Sequence, residues 1–471
     1  MLGRFSVLEQ SNRLKLHNLP SSSRIDWKKY EPKSYLHFDT RKNIEHVKDL
    51  IQNSNWVEKH AFLPFIHFEI TFNKYVLKNP VEIIEPALPK DRKEKREKKR
   101  QIHFASHLDS YIYKYYGNIL NNFYNEYAIE KGIDEISLAY RNNKKGLNNI
   151  DFSKEVFEYI LKQEKAIIIA LDFTSFFDKI NHKKLKENLK IVLECNELPK
   201  DFYKVYKSLT NFSYVHKIDV DEYLENKHGK EQLKELIKER KISRIMSPHE
   251  FRDFKSKKLF KHKKNYGIPQ GSGMSAVCSN VHLIQFDQEI KKWAEDKNAL
   301  YRRYCDDLIL VIPSVEDISQ NADSLTKELF NIVKSFKEDG LIIQEEKTEV
   351  KIYEDKLIKD VNGNKDKLDY LGFILDGETV KIREKSLFKF YSRAYRKAKI
   401  CRNITYVTGE KYERGKLYSI YTHLGFKYKG HGNFISYAKK AHEKMSSLPV
   451  KSLIRNQTKR HWRKIQKRLK S

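Results

Sequence analysis

Two apolar runs of strand length in this chain each meet an aspartate at one end. Ala166–Leu171 (AIIIAL) runs directly into Asp172, and Leu308–Ile312 (LILVI) follows directly on the pair Asp306–Asp307. Runs of this length bounded by polar residues read as buried strands. The stretch YRRYCDDLILV therefore reads as strand, tight turn, strand, with both carboxylates at the turn. Asp-Asp pairs are common in polar turns, so the pair alone specifies little. Asp172 changes that, because two strands could then present carboxylates to one point. Adjacent like charges repel unless a cation lies between them. A hard divalent ion such as Mg²⁺ takes one or two protein carboxylates together with substrate phosphates. Asp172, Asp306 and Asp307 would thus hold two Mg²⁺ ions, with Mn²⁺ as a substitute, about 3.5 to 4 Å apart for in-line phosphoryl displacement.

The whole chain fits a polyanion ligand. Its 471 residues correspond to about three domains, and Lys plus Arg outnumber Asp plus Glu by 92 to 63, a net charge of +29. With 39% hydrophobic and 12% aromatic residues, this is a folded protein with a strong basic surplus, the footprint of nucleic-acid binding. Cys195, Cys278, Cys305 and Cys401 lie far apart with no C-x-x-C pair. Neither a zinc site nor a disulfide framework is indicated, and a reducing cytoplasm is the expected location. No stretch has the apolar core of a signal peptide or the roughly 20 apolar residues of a membrane span.

Along the chain, residues 1–88 mix aromatic and polar residues, with a helix-like stretch at Asn43–Asn53 and the Pro-punctuated AFLPFIHFEITF. The run KDRKEKREKKR, Lys90–Arg100, carries eight bases and three acids and leads into the strand-like QIHF. It suits a solvated helix face or linker, or a phosphate contact. Leu108–Ile129 has apolar and aromatic residues at spacings of three and four, the mark of an amphipathic helix. A polar, Lys-rich segment at about 216–264 precedes GIPQGSG, after which Met274, Val277, Val281, Ile284, Phe286, Ile290 and Trp293 predict one long, mostly buried helix. Ser324–Phe336 reads as helix, LIIQEEKTEVKIY as strands and LDYLGFIL as one more strand. From about Ser386 the chain is helical in pattern and very basic; Lys451–Ser471 has nine Lys or Arg and no acid.

The order of these elements resembles the palm of a reverse transcriptase: a strand ending in Asp172 with Phe177 five residues on, then GIPQG, YCDD, EEKT and YLGF, over roughly Lys90–Asp376. The resemblance implies an α+β right-hand polymerase fold. Residues 1–88 would be an N-terminal helical extension, 89–165 fingers, 166–383 a palm with the Lys-rich insertion, and 384–471 a thumb-like basic helical region. It implies that Asp172, Asp306 and Asp307 are the catalytic metal-binding triad. Phe177 matches the aromatic steric gate against a ribose 2′-hydroxyl. Gln270 and Gly271 match the turn that lies against the incoming nucleotide, and Lys347 and Arg100 match cations near its triphosphate. Arg141, in AYRNNKKG, matches a fingers contact with nucleic acid. Arg460, Arg463 and Lys464 would meet the backbone of the template and DNA product duplex.

Among bacterial reverse transcriptases, group II intron proteins add regions with metal-ligand spacings that this chain lacks. Val407-Thr408-Gly409 spells a retron signature in a different context. The strings KKRQIHFASHLDSYIYKYY, AYRNNKKG, DFTSFFDKINH, GIPQGSGMSAVCSN and YRRYCDD are most similar to the antiphage, defence-associated enzymes related to abortive infection. Gly273-Met274 departs from the Pro-Ile of many relatives. The resemblance implies an RNA template, dNTP substrates and a structured non-coding RNA partner, and leaves a homo-oligomer open. A catalytically dead RNA-binding scaffold would be expected to have lost a carboxylate of the triad. Phe177 argues against an RNA-templated RNA polymerase.

Overall fold

The computed structural model describes residues 25–77, 93–314, 318–343 and 345–470. Residues 1–24 of the expected helical extension, and Lys90–Arg92 at the start of the basic run, lie outside them. From Trp27 to Lys59 the chain forms four short helical turns. It then enters a long strand, β1 (Phe65–Leu77), which pairs antiparallel with β2 (Lys93–Phe104) from Ile66↔Phe104 to Leu77↔Lys93. The extension is therefore not wholly helical. Ile66, Phe68, Ile70 and Phe72 alternate with His67, Glu69 and Thr71, a period of two that only a strand can bury on one side. The basic run is likewise neither helix nor linker: from Lys93 it is the outer strand of this sheet, where charges discourage further strand pairing.

The 24-residue helix His107–Glu130 follows, N-capped by Ser106, and buries Tyr111, Tyr113, Tyr116 and Tyr124. Burying tyrosines demands partners for their hydroxyls. Tyr111 donates to the Lys42 carbonyl (2.9 Å), Tyr113 to Ser208 (3.0 Å) and Tyr116 to Asp201 (2.7 Å). After the helix Asn149–Leu161, β3 (Ala166–Asp172) enters the central sheet.

β4 (Ser213–His216) and β5 (Phe260–Lys261) flank the Lys-rich insertion. The lateral sheet runs β2-β1-β4-β5, so these strands join it rather than the sheet of β3. The insertion folds as helices Lys217–His228, Lys230–Lys238 and Pro248–Lys258. Val220, Leu224, Leu233, Ile245 and Met246 close a small core on Phe38 and Ile66. Hydrophobic residues at helical spacing among the lysines made this possible.

The central sheet also contains β6 (Leu300–Tyr304), β7 (Asp307–Pro313), β8 (Glu349–Glu354) and β9 (Leu357–Lys359), in the order β6-β7-β3-β8-β9. It is buried on both faces. Ile167, Ile169, Leu171, Leu308, Leu310 and Ile312 point into the main core, while Ala166, Ile168, Ile309 and Val311 point into a second one. That division is why β3 and β7 read as continuous apolar runs rather than alternating ones.

Between β5 and β6, the expected single helix is two, Ser275–His282 and Ile284–Asp296, broken at Leu283. The buried Asn188 amide donates to the Val281 and His282 carbonyls (3.1 and 3.0 Å), which a continuous helix would have used itself. The LDYLGFIL segment is also two elements. β10 (Leu368–Tyr370) and β11 (Phe373–Leu375) form a hairpin with positive φ at both turn residues, Leu371 (46°) and Gly372 (94°), the geometry of a type I′ turn.

β12 (Thr379–Ile382) and β13 (Lys451–Ser452) complete this third sheet. The C-terminal region is helical as expected. Ala394, Ala398 and Cys401 of Glu384–Thr408 pack on Ile465 and Leu469 of His461–Lys470. All four cysteines are free, and among the described residues no helix is long and apolar enough to cross a membrane.

Candidate active site

β3 and β7 are antiparallel in one register from Ala166↔Pro313 to Asp172↔Asp307. Directly opposed residues of such a pair share a face and bring their Cβ atoms to about 4.5–5.5 Å. Asp172 and Asp307 are therefore neighbours on the face of Ile168 and Ile309, at the end of the sheet where both side chains are exposed. The carboxylates come from adjacent strands of one sheet.

Asp306 is half-buried in the two-residue turn between β6 and β7, where Tyr304 pairs with Asp307. Its carbonyl accepts from the Phe173 amide (3.2 Å), which ties the turn to the chain leaving Asp172. Cys305, first in the turn, has φ 62°, a value that favours glycine in such turns. A non-glycine residue held there marks a conformation imposed by its surroundings.

Those surroundings are polar and buried. Arg303 and Asp287 form an ion pair (2.6 Å) with neither side chain exposed. Arg303 Nη1 also donates to the Cys305 carbonyl (3.0 Å) and Asn280 (3.1 Å), and Nη2 to Ser137 (3.2 Å). The Cys305 thiol lies between the Tyr140 hydroxyl and the Asp306 carboxylate; burial and the Asp306 charge push it up to about 12. Burial, and then Cys305 and Asp306, likewise push the Tyr140 hydroxyl upward. On the far side of the pair, burial and the Asp307 charge raise the Tyr370 phenol of the β10–β11 turn region.

The GIPQG segment docks beside this corner. Gly267 and Ile268 amides donate to the carbonyls of Ile180 (2.8 Å) and Phe177 (2.9 Å). Gln270 reaches Asp178 (3.5 Å) through its side chain and accepts from the His103 amide (3.0 Å) through its carbonyl. Gly271 has φ 115°, and a Cβ there would lie 2.6 Å from the His103 carbonyl oxygen. Only glycine lets the turn approach β2 this closely. The half-buried Phe177 thus holds, through its carbonyl, a segment bonded both to the chain that leaves β3 and to β2 of the lateral sheet. Ile342 accepts from Thr174 (2.7 Å) and Ile343 bridges Phe173, and Lys347, four residues further on, is exposed.

The other expected contacts divide. Arg100 is exposed on β2, its guanidinium 5.7 Å from the Phe72 ring centre. Arg460, Arg463 and Lys464 are exposed at the start of the last helix. Arg141 is a correction: its side chain is fully buried and held by Asp134 (2.5 Å), Asn125 (2.6 Å) and the Ser137 carbonyl (3.0 Å), over the Tyr124 ring. It organises the loop that carries Tyr140 and is not presented to a ligand. The Arg303–Asp287 pair and Tyr140 escaped sequence reading, although alternation along YRRY and the lone acid on an otherwise apolar helix face were visible signals.

Asp172, Asp306 and Asp307 offer hard oxygen donors suited to a divalent cation. Among the described residues no three His, Cys, Asp or Glu side chains converge as a formed metal cage. The opposed Asp172–Asp307 pair is the protein share that Mg²⁺ ordinarily takes when substrate phosphates supply the rest.

The sequence profile of the family described as "Reverse transcriptase (RNA-dependent DNA polymerase)" matches residues 89–375, more than half of the chain. The chain belongs to the reverse transcriptase family. Its mixed helices and antiparallel sheets are the fold expected of that family. No curated protein matches its sequence. Solved structures similar to this reverse transcriptase include apo telomerase of Candida tropicalis truncated from its C-terminal domain (12% identity, 71% of this chain and 59% of that one, TM-score 0.39). The apo telomerase of Candida tropicalis (12%, 91% and 65%, 0.38) and telomerase of Candida albicans in complex with a TWJ fragment of telomeric RNA (13%, 92% and 69%, 0.37) are others. The chain spans less than two thirds of the length of the first two.

Proposed function

We propose that this reverse transcriptase acts in antiphage defence in the cytoplasm, copying a structured non-coding RNA partner into DNA. The observation that carries the polymerase site is the register Asp172↔Asp307 beside the Asp306 turn. The defence reading rests on the strings AYRNNKKG, GIPQGSGMSAVCSN and YRRYCDD. Ala139, Asn280 and Arg303, one from each, are joined by hydrogen bonds: the Asn280 amide donates to the Ala139 carbonyl (2.8 Å) and Arg303 to the Asn280 side chain.

In this reading Asp172, Asp306 and Asp307 hold two Mg²⁺ ions, which would supply charge stabilisation for attack by a primer 3′-hydroxyl and departure of pyrophosphate. Phe177 occupies the position of a ribose 2′-hydroxyl and excludes ribonucleotides. Gln270 and Gly271 form the wall against the base pair being made. Arg100 and Lys347 draw in the triphosphate, and Arg460, Arg463 and Lys464 hold the backbone of the duplex, a type of binding that weakens steeply with salt.

The test is nucleotide incorporation by the protein as purified with its bound nucleic acid, given deoxy- or ribonucleotides with Mg²⁺, alongside Asp306→Asn. Deoxynucleotide incorporation that the variant loses while keeping RNA affinity supports the site, and sequencing the product identifies the template. Synthesis retained by Asp306→Asn would sink the metal assignment. A product copied from unrelated cellular RNAs would remove the dedicated non-coding partner.

A further inference from the structure

Two helices carry a lysine ridge that no residue of the polymerase site uses. His182–Val192 buries Leu185, Leu189 and Val192, and Lys200–Thr210 buries Phe202, Val205, Tyr206 and Leu209. Their outer faces then follow from helical spacing: Lys186 and Lys190 on one, Lys200, Tyr203, Lys204 and Lys207 on the other. All six line one concavity of about 590 Å³, whose acids among the described residues are Glu58 and Glu197. We propose that this groove is a second nucleic-acid surface, binding a single-stranded stretch of RNA outside the polymerase cleft.

Three observations separate the groove from an ordinary solvated face. First, its charge is unbalanced. A second concavity, about 400 Å³, sets Asp151, Glu155 and Glu158 against Lys154, Lys162 and Arg302. In the lysine groove only Lys200 has an acidic partner, Glu58 at 4.0 Å; among the described residues Lys186, Lys190, Lys204 and Lys207 make no ion pair. Like charges three and four residues apart on a helix destabilise it, and a bound polyanion removes that cost. The one acid of Lys200–Thr210, Asp201, is turned to the Tyr116 hydroxyl.

Second, an aromatic ring lies among the cations. Tyr203 is 40% exposed, with Lys186 Nζ 5.0 Å from its ring centre and Tyr206 stacked behind it (6.2 Å). Basic grooves that hold single strands combine phosphate contacts with such a ring for base stacking. Third, the groove adjoins the polymerase corner. His182 Nε2 meets the Gly267 carbonyl of GIPQG (2.6 Å), and Lys190 lies eight residues further along the same helix, about 12 Å at 1.5 Å per residue. An RNA strand at the site can continue onto the ridge.

The experiment uses the full chain stripped of nucleic acid, with K186E/K204E and Tyr203→Ala as variants. All three side chains are solvent-accessible, so unfolding temperatures should match. Binding of a labelled, unstructured RNA of about 30 nucleotides is read without nucleotides present, across a salt series. K186E/K204E should lose at least about tenfold in affinity, with a salt slope shallower by about 1.4 for two single-strand phosphate contacts. Tyr203→Ala should lose affinity at unchanged slope. Extension of a primed template with a very short overhang should be unaffected in both. Unchanged RNA affinity overturns the proposal, and if polyglutamate binding is lost instead the groove belongs to an acidic protein. Equal loss of short-template extension also overturns it, because the groove would then be part of the cleft. The binding arm stands whether or not the protein polymerises.

Discussion

Arg303 donates Nε to Asp287 Oδ1 at 2.8 Å and Nη2 to Oδ2 at 2.6 Å, with neither side chain open to solvent, and the same guanidinium holds the Cys305 carbonyl. The turn that carries Asp306 rests on a buried ion pair. Removing one partner of such a pair costs about 3–5 kcal/mol, whereas replacing both by apolar groups is often neutral. Arg303→Met should therefore destabilise strongly in urea unfolding. Arg303→Met with Asp287→Leu should recover most of that stability yet not polymerisation, since nothing then holds Cys305 at positive φ.

Gly117 and Gly273 meet where the long helix crosses the GIPQGSG turn. A Cβ at Gly117 would lie 2.9 Å from the Gly273 carbonyl oxygen, and one at Gly273 would lie 3.2 Å from the Lys114 Cα. The departure from Pro-Ile is thus a packing feature. Gly117→Ala and Gly273→Ala should each cost about 1–3 kcal/mol by overpacking and raise the KM for dNTPs by moving Gln270. Thermal unfolding and steady-state kinetics check both.

Phe177 is half-buried, its carbonyl fixed by the Ile268 amide, so truncating the ring leaves the backbone anchored. Phe177→Ala should raise ribonucleotide incorporation relative to deoxynucleotide by one to two orders of magnitude, on the order of 1–3 kcal/mol of discrimination in a pocket contact. Competition between the two nucleotides in single-turnover extension measures it, and an unchanged ratio counts against the gate.

His282 is buried with Nε2 donating to the Asp339 carbonyl (2.8 Å) and Nδ1 meeting no partner among the described residues, and burial holds its imidazole down to about 4. His103, also buried, is held down to about 3. The unfolded chain titrates these groups near 6.5, so between 6.5 and the folded values it binds protons that the folded chain refuses. Their stabilisation is complete above pH 6.5 and is lost as pH falls, by up to about 1.4 kcal/mol per pH unit for each group. Urea midpoints between pH 7 and 5 should fall accordingly. His282→Gln, which can still donate to Asp339, should flatten the slope.

The central strands and the corner that joins them were legible because a sheet buried on both faces leaves unbroken apolar runs, and because Asp172, Asp306 and Asp307 stand at the ends of those runs. The offset of Phe177 and the order of GIPQG carried the resemblance to the family whose profile matches residues 89–375. Elements whose form depends on distant partners were not. The helix break at Leu283 comes from Asn188, nearly a hundred positions away in sequence, and the insertion's loyalty to the lateral sheet comes from Phe38 and Ile66.

Arg141 shows the same limit at the level of one residue. Its local string marks an arginine in a basic loop, a natural phosphate contact, and only the fold reveals Asp134, Asn125 and Tyr124 waiting around it. Sequence alone determined which residues prefer strand, helix or turn and which charges exist, because periodicity and composition are local properties. Tertiary structure decided which of those charges face solvent and which are neutralised inside, because burial and pairing depend on residues that the chain brings together only by folding.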